Sequence, residues 1–559
     1  MIRNFYPPYL RQLFTNRRRE LDFLQSLVDD LLAGRPRRLA VWGLRRVGKT
    51  LVLQEEIARL HHQGLVFPVY MDFEDICTSP ELFAQRYIGL VTFWTLDDGQ
   101  GEVDAYLTVE RLLEATAGHS AAASQTAGSL LRELSRAKPD QALLLKLAFE
   151  YPEKLAQEVN RKMILFLDEF TEIGTLGHYP QVREPLKHFR AALASQTHVA
   201  YVVAGSAMTA MMKLFQSSDA PLFLQFETLS LEPFGRQDAE VLMRKLGSEH
   251  APEVYAEVYR YTAGFPFYIT ALMQRLDRLQ QSGEEINAET VRYAFLLETL
   301  WRGGQIYNYC RYVYDLSLQR ARGYGMLKAI LQFLADEQGF TLTEIARALR
   351  KTPSAVRDYL RWLSEVDLVE ERDHIYQFRD AVLRFWVAYA SKGIEMDAFP
   401  RREDLAGLVA DLEERFQRTA GELGRAKEAE VRELMRRFSG QVIPGALFGQ
   451  EGSLILPTVH AVDGYRSPDG QIELDAVAEL TPDPTRPGSQ RWVVSIKWRN
   501  KRAGKKELEQ LARQASDLNA QGWVIARDGF TPDAVNYARF AGILISSSED
   551  LNQLSKLLK

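Results

Sequence analysis

Uninterrupted apolar runs in the N-terminal part of the chain predict strands that are buried on both faces. Such runs lie at residues 39–42 and 163–167 and within residues 198–207. Strands of this kind are typical of parallel sheets, whose two faces are covered by helices. Residues 51–63, directly after the first run, repeat apolar side chains at helical spacing. The pattern therefore predicts an α/β core built on a parallel sheet.

The stretch from about residue 95 to 160 has helical character and includes tracts of small residues. It carries no recognisable chemistry. We expect a helical extension packed on the core, with a clamp or lid as the alternative.

In the middle of the chain, three amphipathic patterns precede two short extended pieces. The expected helices cover residues 325–338, 341–349 and 353–369, and the extended pieces are VEER and IYQF. A threonine and a proline stand where the second and third helices would begin, in positions that favour a helix start. Three helices followed by a two-stranded wing predict a winged helix-turn-helix.

Towards the C-terminus, strand and helix patterns follow one another again. Residues 424–438 and 505–518 predict helices, and residues 471–480, 492–498 and 522–527 predict strands. Strict alternation would place Glu473 and Asp475 on one face of their strand and Leu474 and Ala476 on the other. It likewise separates Val494, Ile496 and Trp498 from Ser495, Lys497 and Arg499. These elements predict a second α/β domain.

Length and composition limit the class of protein. A chain of 559 residues is expected to hold three or four domains. It has no apolar run of about 18 residues, which predicts no membrane span, and its first residues lack a secretory core. The two cysteines, Cys77 and Cys310, fit a reducing cytoplasm. Since the net charge is −5, binding to nucleic acid would depend on local basic patches.

The most specific motif follows the first strand. Residues 43–50 match G-x-x-x-x-G-K-[ST] between a strand and a helix, the context in which such a loop cradles phosphates. Lys49 would reach the β- and γ-phosphates, and the Thr50 hydroxyl would ligate Mg²⁺. The predicted nucleotide-binding residues of this loop are Gly43, Arg45, Arg46, Val47, Gly48, Lys49, Thr50 and Leu51.

Two further strands end in polar side chains. Asp168 and Glu169 follow the run at 163–167, at the strand end where parallel sheets place ligands. Asp168 suits the Mg²⁺ shell, and Glu169 suits positioning the attacking water. Ser206 ends the next strand and is a candidate to sense the γ-phosphate. We therefore predict Lys49, Glu169 and Ser206 as the catalytic set.

Several short sequences give this region a family resemblance. Residues 14–21 are similar to an F-x-N/G-R-x-x-E-L lead-in, residues 229–234 to L-x-L-x-P-F, and residues 264–266 to a G-x-P turn. In this order they resemble the archaeal-type ATPases of the STAND/AAA+ group of P-loop proteins. The resemblance implies ATP and Mg²⁺ as cofactors, a helical lid, and a place near the adenine for Asn16 and Arg17.

One departure from that family concerns an arginine. Where relatives commonly read P-L-Y-G-R, this chain has residues 221–225, PLFLQ, so the arginine is replaced by Gln225. Arg236 is a candidate substitute. Hydrolysis that is slow or dependent on a partner is expected, because an arginine finger commonly contributes about 10³ to 10⁵ in rate.

The winged helix offers a candidate DNA surface. Its outward residues would be Lys351, Ser354, Arg357 and Arg361, which suit phosphates and base edges. The alternative is a protein-packing module, because the wing carries acidic residues. Residues 376–386 are similar to the same family's Y-x-(I/F)-x-D-x-x-L-R-F-W signature, and we expect their aromatic rings to lie in a core.

The order of elements after residue 420 is similar to the PD-(D/E)xK nuclease fold. The resemblance assigns Glu428, Asp475 and Lys497 to the helix acid, strand acid and strand lysine. Ser495 stands where a second metal-binding carboxylate belongs, and a neutral hydroxyl is a weak Mg²⁺ ligand. Glu473 is the candidate that would compensate. The neighbouring Arg499, Lys501 and Arg502 would hold a nucleic-acid backbone with or without cleavage.

Together these patterns predict a cytoplasmic prokaryotic ATPase acting on DNA. The expected parts are a core at 1–235, a helical lid at 236–320, a winged helix at 321–395, a linker at 396–420 and a nuclease-like domain at 421–559. One hypothesis is an ATP-driven switch coupled to DNA binding or cleavage. The other is a non-cleaving regulator or scaffold that binds DNA or a protein partner. A homo-oligomer is compatible with both.

Overall fold

The computed structural model describes most of the chain as two units, residues 1–232 and 233–559. The residues outside the description are 1–4, 98–100, 217–219, 248, 320–322, 337–339, 373–374, 401, 406, 410–411, 413–427, 429, 468–472, 482–490, 499–501, 528 and 559. Across the described part, no helix combines the length and the hydropathy needed to cross a membrane.

A five-stranded parallel sheet forms the centre of the first unit, as predicted. Its strands are β1 Arg38–Trp42, β2 Phe67–Asp72, β3 Met163–Asp168, β4 Val199–Gly205 and β5 Glu227–Ser230. Their order is β2-β3-β4-β1-β5, and every pair is parallel. All residues of β3 and β4 are buried. Continuous apolar runs are thus explained by burial on both faces.

Helices cover the two faces of this sheet and build the predicted insertion. They are α1 Pro8–Leu13, α2 Arg18–Leu32, α3 Lys49–Gln63, α4 Phe73–Ile76, α5 Pro80–Leu96, α6 Val109–Thr116, α7 Ala121–Leu134, α8 Gln141–Glu158, α9 Pro185–Leu193 and α10 Met208–Phe215. Short 3₁₀ turns lie at Val103–Tyr106 and Phe170–His178. Helices α5 to α8 share one apolar core with the sheet, so the insertion is a packed helical extension.

The second unit begins with a helical part. Its helices are α11 Arg236–Leu246, α12 Pro252–Thr262, α13 Pro266–Gln281, α14 Ala288–Leu300 and α15 Gln305–Gln319. The start of the stretch expected to be a linker is bound to this part. The Met396 N–H donates to the Leu300 carbonyl at 3.0 Å, and the Tyr293 hydroxyl donates to the Pro400 carbonyl at 3.1 Å.

The next segment has the elements of a winged helix. They are α16 Tyr324–Asp336, β6 Phe340–Thr341, α17 Leu342–Ala348, α18 Pro353–Glu365, β7 Val369–Arg372, β8 Ile375–Phe378 and α19 Ala381–Ala390. The strands form a sheet in the order β6-β8-β7. The predicted start signals are present, because the Thr341 and Thr352 side chains cap α17 and α18. The helix pattern and both extended pieces are confirmed.

The C-terminal domain contains a five-stranded mixed sheet between two layers of helices and a separate antiparallel sheet formed by its first two strands. Its strands are β9 Val442–Pro444, β10 Ser453–Ile455, β11 Val459–Arg466, β12 Glu473–Leu480, β13 Arg491–Lys497, β14 Gln521–Ala526 and β15 Leu544–Ser547. Its helices are α20 Lys505–Asp517, α21 Pro532–Ala541 and α22 Ser548–Leu557, and residues 430–436 are also helical. Strands β11 to β13 are antiparallel neighbours, and β13 to β15 are parallel neighbours.

Candidate functional site

The phosphate-loop sequence forms a tight connection between β1 and α3. Trp42 ends the strand and Lys49 begins the helix, while Arg46 and Gly48 have positive φ angles of 66° and 101°. A Cβ atom on Gly43 would lie 2.5 Å from the Leu231 carbonyl oxygen. Glycine is therefore required there, because the chain leaving β5 passes directly against the loop.

Lys49 is buried inside the loop. Its Nζ donates hydrogen bonds to the carbonyl oxygens of Gly43, at 2.8 Å, and Leu44, at 3.2 Å. Backbone carbonyls thus stabilise the ammonium charge beside the N-terminus of α3, where a helix favours anions. The other predicted loop residues surround it. Arg45 and Arg46 are exposed, Val47 is buried, and Leu51 is half-buried in the first turn of α3.

Thr50 and Asp168, predicted to hold the metal, lie in direct contact. The Thr50 hydroxyl donates to Asp168 Oδ2 at 2.7 Å, and the Tyr70 hydroxyl donates to the same oxygen at 3.3 Å. Asp168 is 2% exposed, and this burial raises its pKa, although the hydrogen bond from Thr50 opposes the rise. A buried carboxylate beside a hydroxyl at the end of the loop is a donor set that suits Mg²⁺.

Glu169 and Ser206 also meet. The Ser206 hydroxyl donates to Glu169 Oε2 at 2.9 Å, and the Ser206 N–H donates to the same oxygen at 3.2 Å. Glu169 has a left-handed backbone with φ of 46°, which turns the chain sharply after β3. Strand β4 lies between β3 and β1 in the sheet, so Ser206 emerges between the acidic pair and the phosphate loop.

Asp72 is a functional candidate that sequence reasoning missed. It ends β2 and pairs in register with Asp168. Burial raises the pKa of Asp72 to about 7; the hydrogen bond from the Glu74 N–H opposes the rise, and the charge of Asp168 adds to it. The signal was present in the sequence, because FPVYMD is an apolar strand ending in an acid, like MILFLD.

Arg17 lies behind the loop, and Asn16 is exposed. The Arg17 guanidinium is buried, and its Nη2 donates to the carbonyl oxygens of Val47 at 3.0 Å and Glu232 at 2.8 Å. Both Asn16 and Arg17 have left-handed backbones. These contacts show Arg17 supporting the loop, and the predicted placement of Asn16 and Arg17 near the adenine stays a prediction.

The four predicted DNA-contacting residues of the winged helix all lie on the surface. Lys351, Ser354, Arg357 and Arg361 are exposed along the start and outer face of α18. The positive charge of Arg361 is partly offset by Asp358, whose Oδ1 lies 3.7 Å from Nη1 of Arg361. In the wing, Glu370 and Glu371 accept hydrogen bonds from Gln377 and Tyr376. The module thus presents a basic helix beside an acidic wing.

Strand β13 alternates as predicted. Val494 and Ile496 belong to one apolar cluster of the C-terminal sheet, and Val493 belongs to the cluster on the opposite face. Trp498 packs against the first of these clusters. Lys497 and Ser495 are half-buried. The side chain of Asp475 lies beside this strand, since its Oδ2 accepts a hydrogen bond from the Ile496 N–H at 2.6 Å.

The predicted alternation of β12 is wrong. Leu474 lies in the cluster with Val493, whereas Ala476 lies in the cluster with Val494, so these two residues face opposite sides. The cause is a register shift against β11, where Asp463 pairs with Val477 but Tyr465 pairs with Leu474. Such a bulge reverses the side-chain pattern beyond it. Alternation along β12 therefore does not place Glu473 on the face of Asp475.

Of the other residues predicted for the nuclease-like domain, some lie outside the described part and others can be placed. The side chain of Glu473 and all of Arg499 and Lys501 lie outside the described residues. Arg502 is exposed. Glu428 is buried, and its Oε2 lies 3.9 Å from Nη1 of Arg432, a residue that sequence reasoning did not single out. The sequence feature that could have indicated Arg432 is its spacing, four residues after an acid on the same helix.

Comparison with protein families now identifies the parts. Residues 14–272 match an ATPase domain predominantly from Archaea. The chain carries an archaeal-type ATPase domain. C-terminal to this ATPase domain in the sequence, residues 328–371 match the bacterial regulatory proteins of the ArsR family. Residues 458–555 match a restriction endonuclease domain. The winged helix and the nuclease-like fold are thereby confirmed, while the narrower STAND assignment stays a prediction.

Solved structures show distant similarity. The chain is similar to a Walker-type ATPase of Pyrococcus abyssi, with 14% identity, a TM-score of 0.45, and coverage of 67% of this chain and 96% of the other. It is also similar to the ORC2 protein of Aeropyrum pernix in ADPNP–ADP complexes, with 13% identity, a TM-score of 0.40, and coverage of 70% and 98%. Among curated proteins, none matches the chain significantly.

Residues 221–225, where the sequence departs from the P-L-Y-G-R pattern, contain a residue with a left-handed backbone. Leu224, which stands in place of the glycine, has a left-handed backbone with φ of 58° and a side chain that is 82% exposed. A left-handed backbone favours glycine, which is compatible with the predicted correspondence, and the replacement of an arginine by Gln225 stays a prediction. Arg236, the candidate substitute, belongs to the second unit and forms an ion pair with Glu240.

Proposed function

We propose that this protein is an ATP-hydrolysing switch that acts on DNA. The observation that carries the proposal is the meeting of two side-chain pairs beside Lys49 at one edge of the parallel sheet. These pairs are Thr50 with Asp168 and Glu169 with Ser206. Carboxyl ends of parallel strands are where such sheets bind ligands. The match to an ATPase domain gives independent support.

Each residue has a role that its contacts support. Lys49 exchanges its bonds with two loop carbonyls for bonds with phosphate oxygens, at the positive end of α3. Thr50 and Asp168 would hold Mg²⁺, which supplies positive charge against the phosphate oxygens when bound. Glu169 orients the attacking water, and Ser206 fixes the direction of the Glu169 carboxylate. Since Gln225 replaces an arginine, we expect slow basal hydrolysis.

Two modules supply the DNA-directed part of the proposal. The exposed basic residues of α18 suit phosphate contacts, as in helix-turn-helix proteins. In the C-terminal domain, Arg502, Lys505 and Lys506 are exposed just before and at the start of α20. The acidic wing favours a second candidate function, a regulator or scaffold in which the winged helix binds a protein.

The lid and the winged helix share one core, which supports coupling between them. Phe295 of α14 packs on Phe385, and Tyr307 of α15 packs on Trp386, both at ring-centroid distances below 6 Å. The Tyr268 hydroxyl of α13 donates to Asp380, the residue that caps α19. A nucleotide-driven movement of the lid would therefore carry the winged helix with it.

An ATPase titration with duplex DNA tests the proposal. We expect hydrolysis in wild type, stimulation by DNA, and loss of at least about 10²-fold in Lys49→Ala, because electrostatic stabilisation of the phosphates is removed. Lys146→Ala, an exposed lysine on α8, is the matched control and should retain wild-type rates. Equal rates in wild type and Lys49→Ala would refute ATP hydrolysis at this site. Hydrolysis indifferent to DNA would favour the protein-binding alternative.

A further inference from the structure

The nuclease-like domain holds a buried cation of its own among the groups that its fold would give to a metal. We propose that Arg432 takes the place of the metal ion, so that this domain binds nucleic acid without cleaving it. This inference rests on the proposed function and specifies its DNA-directed step, which is binding of nucleic acid without cleavage. It does not depend on events at the nucleotide site.

Arg432 is placed to neutralise the site from within. It is 5% exposed, and its Nη1 donates to the backbone carbonyl of Asp475 at 2.5 Å and lies 3.9 Å from Glu428 Oε2. Glu428 is itself 7% exposed. An acid and an arginine at i and i+4 face the same side of a helix. In a buried setting such a carboxylate is compensated by its partner charge and is not available as an additional metal ligand.

The remaining described positions do not rebuild a metal site. Asp475 Oδ2 already accepts a hydrogen bond from the Ile496 N–H, and the second acid position is Ser495, a neutral hydroxyl. Within the described residues, no three acidic, histidine or cysteine side chains come together as metal ligands would. Mg²⁺ prefers several anionic oxygens in a near-octahedral arrangement. The described residues of this site do not fit that ion.

The local charge points the same way. Among the described side chains, the buried charge of Glu428 is matched by that of Arg432, so this pair has no net charge. A metal-dependent site keeps excess negative charge that the ion then neutralises. For Glu428, a positive charge is already present before any ion arrives.

The sign of one stability change distinguishes the two arrangements. In a cluster of carboxylates kept for a metal, Glu428→Gln would relieve repulsion and raise the Tm of the metal-free protein. In a compensated pair it leaves Arg432 buried without its counter-charge, so we expect the Tm of the full chain to fall by several degrees. Arg432→Met should lower it similarly, and the double variant should recover most of the loss. A higher Tm for Glu428→Gln would overturn the inference.

Manganese alone provides a second readout. We expect MnCl₂, without nucleotide, to leave the Tm of wild type unchanged, or to shift wild type and Asp475→Ala equally because the ion binds elsewhere. A shift present in wild type and lost in Asp475→Ala would refute the proposal.

Supercoiled plasmid tests cleavage itself. The full chain, with Mg²⁺ or Mn²⁺ and with or without ATP, should leave it intact, and any trace of nicking should persist in Asp475→Ala as a foreign activity. Nicking that disappears in Asp475→Ala would show an active nuclease. The Lys49→Ala result bears only on ATP hydrolysis, so failure of either proposal is recognisable separately.

Discussion

At the scale of single residues, the ATPase domain places charged groups where they cost stability. Lys49, Asp168 and Asp72 are polar groups at the edge of an otherwise apolar core. Burial of this kind is typical of functional sites, where shifted pKa values accompany chemistry. Glu56, on the same helix as Lys49, is 1% exposed, and no hydrogen-bond partner of its Oε1 lies among the described residues.

Glu56 leads to a pH-dependent prediction. Burial raises its pKa from the ordinary 4.5 to about 7, the nearby Arg59 opposing the rise. The folded state therefore binds the proton more tightly than the unfolded state, and stability falls as pH rises from about 4.5 to about 7. Glu56→Gln should match wild type at low pH and exceed it at pH 8, by up to on the order of 3 kcal/mol.

Urea unfolding across this pH range measures the difference between wild type and Glu56→Gln. Glu110→Gln, an exposed glutamate on α6, serves as the control and should follow wild type. A constant difference at all pH values would show that the charge of Glu56 is not the cause.

At the scale of elements, sequence patterns predicted what depends on local periodicity. The parallel strands, the phosphate loop and the wing were found because apolar runs and start signals lie within single segments. The bulge in β12 could not be predicted in this way, because it depends on how β12 pairs with Gly464 and its neighbours on β11. The partnership of Glu428 with Arg432 was overlooked although its spacing is local. The hydrogen bond from Arg17 to the Glu232 carbonyl joins residues that are far apart in the sequence, so the pattern of a single segment cannot predict it.

The charge of α18 gives the second prediction. Arg357→Ala and Arg361→Ala should weaken duplex DNA binding and lower the slope of log K against log salt by about one per lost phosphate contact. Asp358→Asn provides the opposite change on the same surface, since it removes the carboxylate beside Arg361, and it should strengthen binding. Fluorescence anisotropy over a range of salt measures both. If all three variants bind like wild type, α18 does not face DNA.

At the scale of the whole molecule, the shared core of the lid and the winged helix is the feature on which coupling would depend. The signature residues 376–386 were expected to lie in a core, and Phe378, Leu383, Phe385 and Trp386 are indeed buried. Their partners come from α14 and α15. The order of modules follows from patterns within single segments, whereas the shared core of two modules depends on contacts between segments that are far apart in the sequence.

Tyr268→Phe tests that coupling. It removes the hydroxyl that donates to Asp380, a bond to a charged group worth about 1.5–3 kcal/mol. We expect basal ATP hydrolysis and DNA binding to persist while stimulation of hydrolysis by DNA falls. Tyr312→Phe, an exposed tyrosine on α15, is the control. Full stimulation in Tyr268→Phe would show that the bond does not transmit the signal.

Arg17 has a mechanical consequence. Its buried guanidinium donates hydrogen bonds to the carbonyl oxygens of Val47, inside the loop, and of Glu232, the last residue of the first unit. A ligand that displaced the backbone at Val47 would therefore also strain the bond from Arg17 to Glu232, where the chain leaves the first unit. Arg17 is thus the candidate residue through which occupancy of the loop would be coupled to the segments that follow.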